Sequence, residues 1–297
     1  EVFSSKKCLI KSITYKIVNM SKQSRFICIL CSLFFISVEN GMLFAQENPG
    51  KAFYTAALVA YEKRDIPRAD SLLTRAIQIN PDFFEAYKRR GLLRYELSNY
   101  EAAIKDYNTA LQLNNQDEEL YYRRGVVYYQ ENNLAAAAQD FDQCVKLNSL
   151  YHLAYIARGV IYEEKEDYRR ALKDYNQAIK LAPDFAAAYY NRALIHYTLN
   201  KSSKALLDLS QSISLDPEAE ASYLMRAFIY LENQAYEKVR LDCEEVLKIN
   251  AYNAEAYQYR GEAFLAQGKK DTACADFKKA IDLGSIEAES LLKKHCH

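Results

Sequence analysis

Arginine and aspartate recur in pairs along this sequence, and the two members of each pair are 16 residues apart. The pairs are Arg90 and Asp106, Arg124 and Asp140, Arg158 and Asp174, Arg192 and Asp208, Arg226 and Asp242, and Arg260 and Asp276. A guanidinium group can bind a carboxylate through two parallel hydrogen bonds. We therefore predict that these residues form structural ion pairs. A ladder that binds external anions is the alternative.

Cysteine and histidine near the carboxyl end offer a second kind of chemistry. Cys274 and Cys296 would come together if the last helix ran back across the helix before it, so they are a candidate disulfide; two free thiols are the alternative. The final His295, Cys296 and His297 contain metal-ligand side chains. Consecutive residues of a helix point in different directions, however, so we predict no metal site there.

The sequence contains none of the common catalytic motifs. There is no G-x-S-x-G elbow, no H-E-x-x-H pair, no dinucleotide fingerprint and no complete phosphate loop. His196 occupies a repeated apolar position, which favours a packed imidazole over a general base. We predict a protein that is not an enzyme and uses no cofactor.

A period of 34 residues organises the chain from residue 50 to residue 287. Seven repeats begin at Gly50, Phe84, Glu118, His152, Ala186, Glu220 and Ala254. Position 4 is always Phe or Tyr, position 8 is Gly or Ala, and position 20 is Ala or Val. Positions 4, 8 and 11 recur three or four residues apart, as do positions 20, 24 and 27, so each repeat is predicted to form two helices with one apolar face each.

This spacing resembles the tetratricopeptide repeat (TPR) signature, over about four-fifths of the chain. The resemblance implies an all-α fold: a right-handed superhelical solenoid of antiparallel helix pairs with a C-terminal capping helix. Two features depart from the family pattern, since no repeat has Trp at position 4 and position 7 is Arg in repeats two to seven. The first repeat lacks both the Arg and the Asp, with Ala56 and Leu72 in their places. This joint absence supports the pairing.

In the TPR family, positions 5, 9 and 12 of each first helix line a concave groove that binds peptides, and we call these positions the groove stripe. Of the 21 stripe positions here, 17 are apolar or Tyr. Packing between repeats is the alternative role, and the Lys and Asn clamp for chaperone tails is absent. The candidate partner-binding residues are Tyr54, Tyr61, Leu92, Tyr95, Tyr122, Val126, Tyr129, Ile156, Val160, Tyr190, Leu194, Tyr197, Leu224 and Phe228.

The segment before the repeats has a different composition. Residues 1–19 precede Met20, have no repeat pattern and are predicted to be an upstream or non-native segment. Residues 20–45 resemble a secretory signal peptide, with a basic start, an apolar run over residues 26–38 and Ala45 before the expected cleavage. A linker (46–49), the repeats (50–287) and the capping helix (288–297) follow. We expect export to the periplasm or cell envelope; anchoring by an uncleaved leader is the alternative.

Charge narrows the class of partner. The chain has 39 Lys and Arg against 39 Asp and Glu, and removal of residues 1–45 leaves 33 basic against 37 acidic residues. This balance offers no footprint for nucleic acid. Two functions stay open: a scaffold that binds a protein or peptide segment in a Tyr-rich groove, and a glycan-binding envelope protein that uses the same surface.

Overall fold

The computed structural model describes residues 50–296, and within this range every regular element is an α-helix. The predictions made for residues 1–19, 20–45 and 46–49 and for His297 lie outside the described residues. The first helices of the seven repeats are Lys51–Glu62 (α1), Phe84–Glu96 (α3), Glu118–Gln130 (α5), His152–Glu164 (α7), Ala186–Thr198 (α9), Glu220–Glu232 (α11) and Ala254–Ala266 (α13). The second helices are Ile66–Ile79 (α2), Tyr100–Leu113 (α4), Leu134–Leu147 (α6), Tyr168–Leu181 (α8), Ser202–Leu215 (α10), Tyr236–Ile249 (α12) and Lys270–Asp282 (α14).

The chain divides into two compact units, one ending at Leu93 and the other beginning at Arg94. In the first unit, α1 packs on α2 around a core that contains Ala57, Leu73 and Phe83. In the second unit, the two helices of each of repeats three to seven pack on each other, and each second helix packs on the next first helix. The predicted all-α fold of tandem helix pairs is confirmed.

The turn between the two helices of a repeat has a left-handed residue at position 15. Its φ lies between 56° and 77° in all seven repeats, and only the last repeat has glycine there, Gly268. The amide of position 16 donates to the carbonyl of position 11, as Asp167 does to Tyr162 at 2.8 Å. This bond pattern is the Schellman ending of a helix. The side chain of Asp167 then caps α8 by accepting from the amide of Arg170 at 3.0 Å.

The core of each repeat includes two positions that were not predicted from the sequence. Positions 8, 20, 24 and 27 are buried, as predicted, but positions 3 and 10 of repeats two to seven are buried as well, for example Leu120 and Val127. The predicted core positions 4 and 11 stay half-buried in those repeats. The reason is that the first helix is covered by a neighbouring repeat on the side of positions 3 and 10.

Close approach of the two helices explains the glycines at position 8. A Cβ atom on Gly125 would lie 2.7 Å from the ring of Phe141, and one on Gly159 would lie 2.6 Å from the ring of Tyr175. Where position 8 is alanine instead, position 24 of the same repeat is a smaller side chain: Leu73, Leu209 or Cys243. Glycine at position 8, which lacks the methyl group of alanine, therefore leaves room for an aromatic ring at position 24.

The last helix, α15 (Ile286–His295), begins two residues before the predicted boundary at residue 288 and packs on α14. Ser285 caps it by accepting from the amide of Ala288 at 3.2 Å. A disulfide joins Cys296, at the end of α15, to Cys274 on α14, and their Cα atoms are 5.7 Å apart. The final helix is thereby held to repeat seven.

Candidate functional site

The arginine and aspartate residues meet as bidentate pairs in repeats three to seven. In each pair Nε and a terminal nitrogen of the arginine donate to the two carboxylate oxygens, at distances of 2.5–2.8 Å. The aspartates are only 3–7% exposed. Each pair joins the first helix of a repeat to the second helix of the same repeat. The paired residues are Arg124 with Asp140, Arg158 with Asp174, Arg192 with Asp208, Arg226 with Asp242 and Arg260 with Asp276.

Four of these arginines, Arg124, Arg158, Arg192 and Arg226, also donate a hydrogen bond to the preceding repeat. The remaining terminal nitrogen of Arg158 donates to Asp142 at 2.8 Å, and Arg192 donates in the same way to Asn176 at 2.7 Å. In addition, each guanidinium lies over the ring of the position-4 tyrosine of its own helix, as Arg158 lies over Tyr155 at 5.4 Å. These contacts give the ladder a structural role and do not favour an external anion.

Arg90 lies in the first unit and Asp106 in the second. Arg90 donates to Thr74 at 2.9 Å. Asp106, 2% exposed, accepts from Arg94 at 2.9 Å.

Burial and ion pairing shift the pKa values of Asp140, Asp242 and Arg124 in opposite directions. Burial raises the pKa of Asp140 and of Asp242, and the hydrogen bonds from Arg124 and Arg226 offset only part of this rise. Burial lowers the pKa of Arg124, but the hydrogen bonds to Asp140 and the negative charge of Asp140 together outweigh burial, so this pKa lies above its ordinary value. The charged form of Arg124 is thus favoured by its pairing, whereas burial disfavours the charged forms of Asp140 and Asp242.

The groove stripe is half-buried in both units, which is intermediate between a core face and a free surface. Tyr54, Tyr61 and Leu92 lie in the first unit, and the other predicted stripe residues lie in the second. Some of the stripe is committed to packing, since the ring of Tyr122 lies 5.9 Å from that of Phe141 and 5.2 Å from that of Tyr151. The hydroxyl groups of Tyr129 and Tyr197 donate to Glu164 and Glu232 of the next repeat. These residues therefore take part in packing, which was the alternative role, and partner binding by the stripe stays a prediction.

A cavity of about 280 Å³ opens on the stripe in repeats five to seven. Three predicted stripe residues line it, and the four other lining residues come from positions 2 and 6 of the first helices, which are not stripe positions. Positions 2, 5, 6 and 9 are three or four residues apart and share a helix face, so this pattern could have found them. The lining residues are Tyr190, Ala221, Leu224, Met225, Phe228, Glu255 and Tyr259. We call this space the apolar cavity.

A second cavity, of about 370 Å³, lies beside the first and shares Glu255 and Tyr259 with it. Its other lining residues include Gln258, Ser285 and Glu287, and its surface is more polar. The hydroxyl of Ser285 donates to Gln258 at 2.9 Å. We call this space the polar cavity.

The remaining candidate chemistry is structural. Cys296 is bonded to Cys274, and Cys144 and Cys243 are buried thiols whose pKa burial raises to about 12. His196 packs 3.8 Å from Asp208, and burial lowers its pKa. Within residues 50–296 no group of three His, Cys, Asp or Glu side chains could hold a metal ion. No helix in the same range is long and apolar enough to cross a bilayer.

Comparison with known structures places this arrangement of helices among tetratricopeptide repeat proteins. A tetratricopeptide repeat protein from Parabacteroides merdae is 21% identical, with a TM-score of 0.62 over 84% of this chain and 99% of that one. PilF of Pseudomonas aeruginosa is 19% identical, with a TM-score of 0.64 over 71% and 97%. YrrB, described as a TPR protein with an unusual peptide-binding site, is 19% identical, with a TM-score of 0.54 over 63% and 97%. At these identities the likeness shows the fold.

Family models agree with the structural comparison. Models described as TPR repeat or tetratricopeptide repeat match residues 91–132, 118–149, 159–229 and 255–283, which together make up more than half of the chain. No curated protein gives a significant match. With seven helix pairs in an unbroken 34-residue register, the chain belongs to the tetratricopeptide repeat family.

Proposed function

We propose that this protein is a non-catalytic scaffold that holds a protein or peptide segment on the groove stripe of its second unit. The apolar cavity is the observation that carries the proposal. Its volume of about 280 Å³ is slightly below the roughly 300–1,000 Å³ of small-molecule sites. It therefore suits a single side chain of a longer ligand better than a complete cofactor or substrate.

The family supports the same reading, because TPR proteins generally bind protein or peptide partners and are generally not enzymes. YrrB is a relative of this fold with a peptide-binding site. The glycan-binding alternative has weaker support. Sugars stack on open ring faces, whereas Phe228 packs 5.7 Å from Tyr197 and 6.0 Å from Tyr259.

Export to the periplasm or cell envelope is part of the proposal and rests on residues 20–45 of the sequence. A disulfide between Cys274 and Cys296 would persist in that oxidising compartment. In the alternative, an uncleaved leader anchors the protein to a membrane. Nucleic acid is not a proposed partner.

Blocking the apolar cavity tests the proposal. Ala221 lines the cavity and is exposed, so Ala221→Trp fills the opening without removing a core side chain. Selection from a random peptide library should enrich peptides that bind the parent protein, and Ala221→Trp should weaken their binding at least tenfold, which is about 1.4 kcal/mol. Ala135→Trp, an exposed alanine on α6, is the matched control and should bind normally.

Two results would reject the scaffold proposal. One is an enriched set of peptides that binds the parent and Ala221→Trp equally. The other is a lack of any enriched peptide together with binding of the parent to a glycan array, which would favour the glycan-binding function.

A further inference from the structure

The apolar cavity and the polar cavity are lined by different kinds of side chain, and this difference indicates the chemistry of a ligand that would bind both. The apolar cavity is lined by Leu224, Met225 and Phe228, together with the rings of Tyr190 and Tyr259. The polar cavity brings the carboxylates of Glu255 and Glu287 to its wall, and Glu255 borders both spaces. An apolar side chain in the first cavity thus places the adjoining chain beside two carboxylates.

The charged residues on the surrounding surface of the first helices also favour a cationic ligand. Positions 2, 5, 6, 9, 12 and 13 of the first helices of repeats three to seven carry one basic residue, Arg123, and it is bound to Glu119 at 2.6 Å. Besides Glu119, the same positions carry Glu163, Glu164, Glu232, Glu255 and Glu262. The face is acidic although the repeats as a whole are close to neutral, so it is complementary to a cationic partner.

Two of these carboxylates are held at a cost to the fold. Burial raises the pKa of Glu262, and the hydrogen bond from Gln258, at 3.1 Å, offsets part of the rise. Burial also raises the pKa of Glu163, whose partner is the hydroxyl of Tyr175 at 2.8 Å. Among the described residues neither carboxylate forms an ion pair with a lysine or arginine. A bound cation would supply the missing positive charge.

We infer that the partner segment pairs a large apolar side chain with a lysine or arginine within a few residues of it. The apolar side chain enters the apolar cavity, and the cation binds Glu255 and Glu287 at the polar cavity. This inference rests on the proposed function and names the chemistry of its ligand. A segment that combines an apolar side chain with Asp or Glu is disfavoured at the same site, because its charge would face two carboxylates.

An array of synthetic peptides tests the inference. Each 12-residue peptide has a Ser and Gly background, one Leu, and one Lys, Glu or Ser placed one to four residues from the Leu. Purified protein should bind the Leu and Lys peptides about tenfold better than the Leu and Glu peptides at low salt, on the scale expected for two exposed ion pairs. The preference should shrink as salt is added.

Charge reversal supplies the decisive comparison. Glu255 and Glu287 are exposed, so Glu255→Lys with Glu287→Lys should leave the fold intact and shift the preference to the Leu and Glu peptides. Glu101→Lys with Asp271→Lys changes the net charge equally on two second helices and should keep the original preference. Thermal melts check the folding of both variants. Glu255→Gln with Glu287→Gln, which adds no positive charge, should reduce the preference about fivefold.

The possible outcomes separate the inference from the proposed function. If the parent binds Leu peptides regardless of their charge, and Ala221→Trp abolishes that binding, the scaffold stands and the cationic partner is wrong. If both charge-reversal variants change the preference alike, net charge explains it and the assigned site is wrong. If Ala221→Trp binds every peptide as well as the parent does, both proposals fail.

Discussion

Asp174 shows what a single ladder residue does for the fold. Its carboxylate is 3% exposed and accepts two hydrogen bonds from Arg158. Asp174→Ala should lower the free energy of unfolding by about 3 kcal/mol, because it strands a half-buried guanidinium. We place the loss at the low end of the range for broken buried pairs because Asp142 remains bound to Arg158. Urea unfolding followed by circular dichroism measures it.

Asp142 provides the matched control, since it binds the same arginine but its side chain is 43% exposed. Asp142→Ala should cost less than about 1 kcal/mol, the usual scale of an exposed ion pair. A loss below about 0.5 kcal/mol for Asp174→Ala would contradict the structural role of the ladder, because surface substitutions fall in that range.

At the scale of the element, the packing of two helices depends on one methyl group. Gly125→Ala would bring a Cβ atom within 2.7 Å of the Phe141 ring, and overpacking of this kind costs about 1–3 kcal/mol. Phe141→Leu alone should also destabilise the protein, because it leaves a void under Gly125. The double variant should be more stable than the sum of the two losses predicts, since repeat five combines Ala193 with Leu209 in the same way.

A double-mutant cycle measured by thermal unfolding gives the coupling energy between these two sites. We expect a favourable coupling of about 1 kcal/mol, within the range for residues in contact. Ala136→Gly, at a half-buried position on α6, is a control that should show no coupling to Phe141→Leu. Additive losses at Gly125 and Phe141 would mean that the backbone shifts to accept the methyl group.

The helix pairs can be predicted well from the sequence because the same residue pattern recurs in each repeat. The two helices of each repeat, the small residues at their crossing and the pairing of arginine with aspartate in repeats three to seven all follow from the 34-residue register. Positions 3 and 10 were missed because positions 3, 4, 10 and 11 are mostly apolar or aromatic, so composition does not tell which of them a neighbouring repeat covers. The left-handed residue at position 15 was missed because six of the seven are not glycine, as with Glu166 and Gln234.

The candidate site was predictable in part. The groove stripe follows from the resemblance to the family, whereas the apolar cavity requires the relative placement of three first helices, α9, α11 and α13. Leu224 and Phe228 were identified because they lie on the stripe. Glu255 was not, because an isolated glutamate at position 2 looks like any solvated residue until Tyr259 and Glu287 are seen beside it.

For the whole molecule, export and the disulfide make one joint prediction about the protein in its native host. The apolar run over residues 26–38 and Ala45 predict a mature chain that starts near Gln46. In the oxidising compartment that such a chain enters, Cys274 and Cys296 should be bonded. With a sequence separation of 22 residues, the bond should stabilise the end of repeat seven by about 3 kcal/mol in the chain-entropy model.

Mass spectrometry of the protein purified without reductant measures both parts together. Trypsin should release the peptide of residues 271–278 linked to the peptide that begins at His295, and reduction should separate them. Cys144 and Cys243 are the internal controls, because they are buried in the folded protein and should be alkylated only after unfolding. Recovery of residues 20–45 on a cytosolic protein with an alkylated Cys296 would contradict both predictions. A cleaved chain with free Cys296 would contradict only the disulfide, and α15 would then be held to α14 by packing alone.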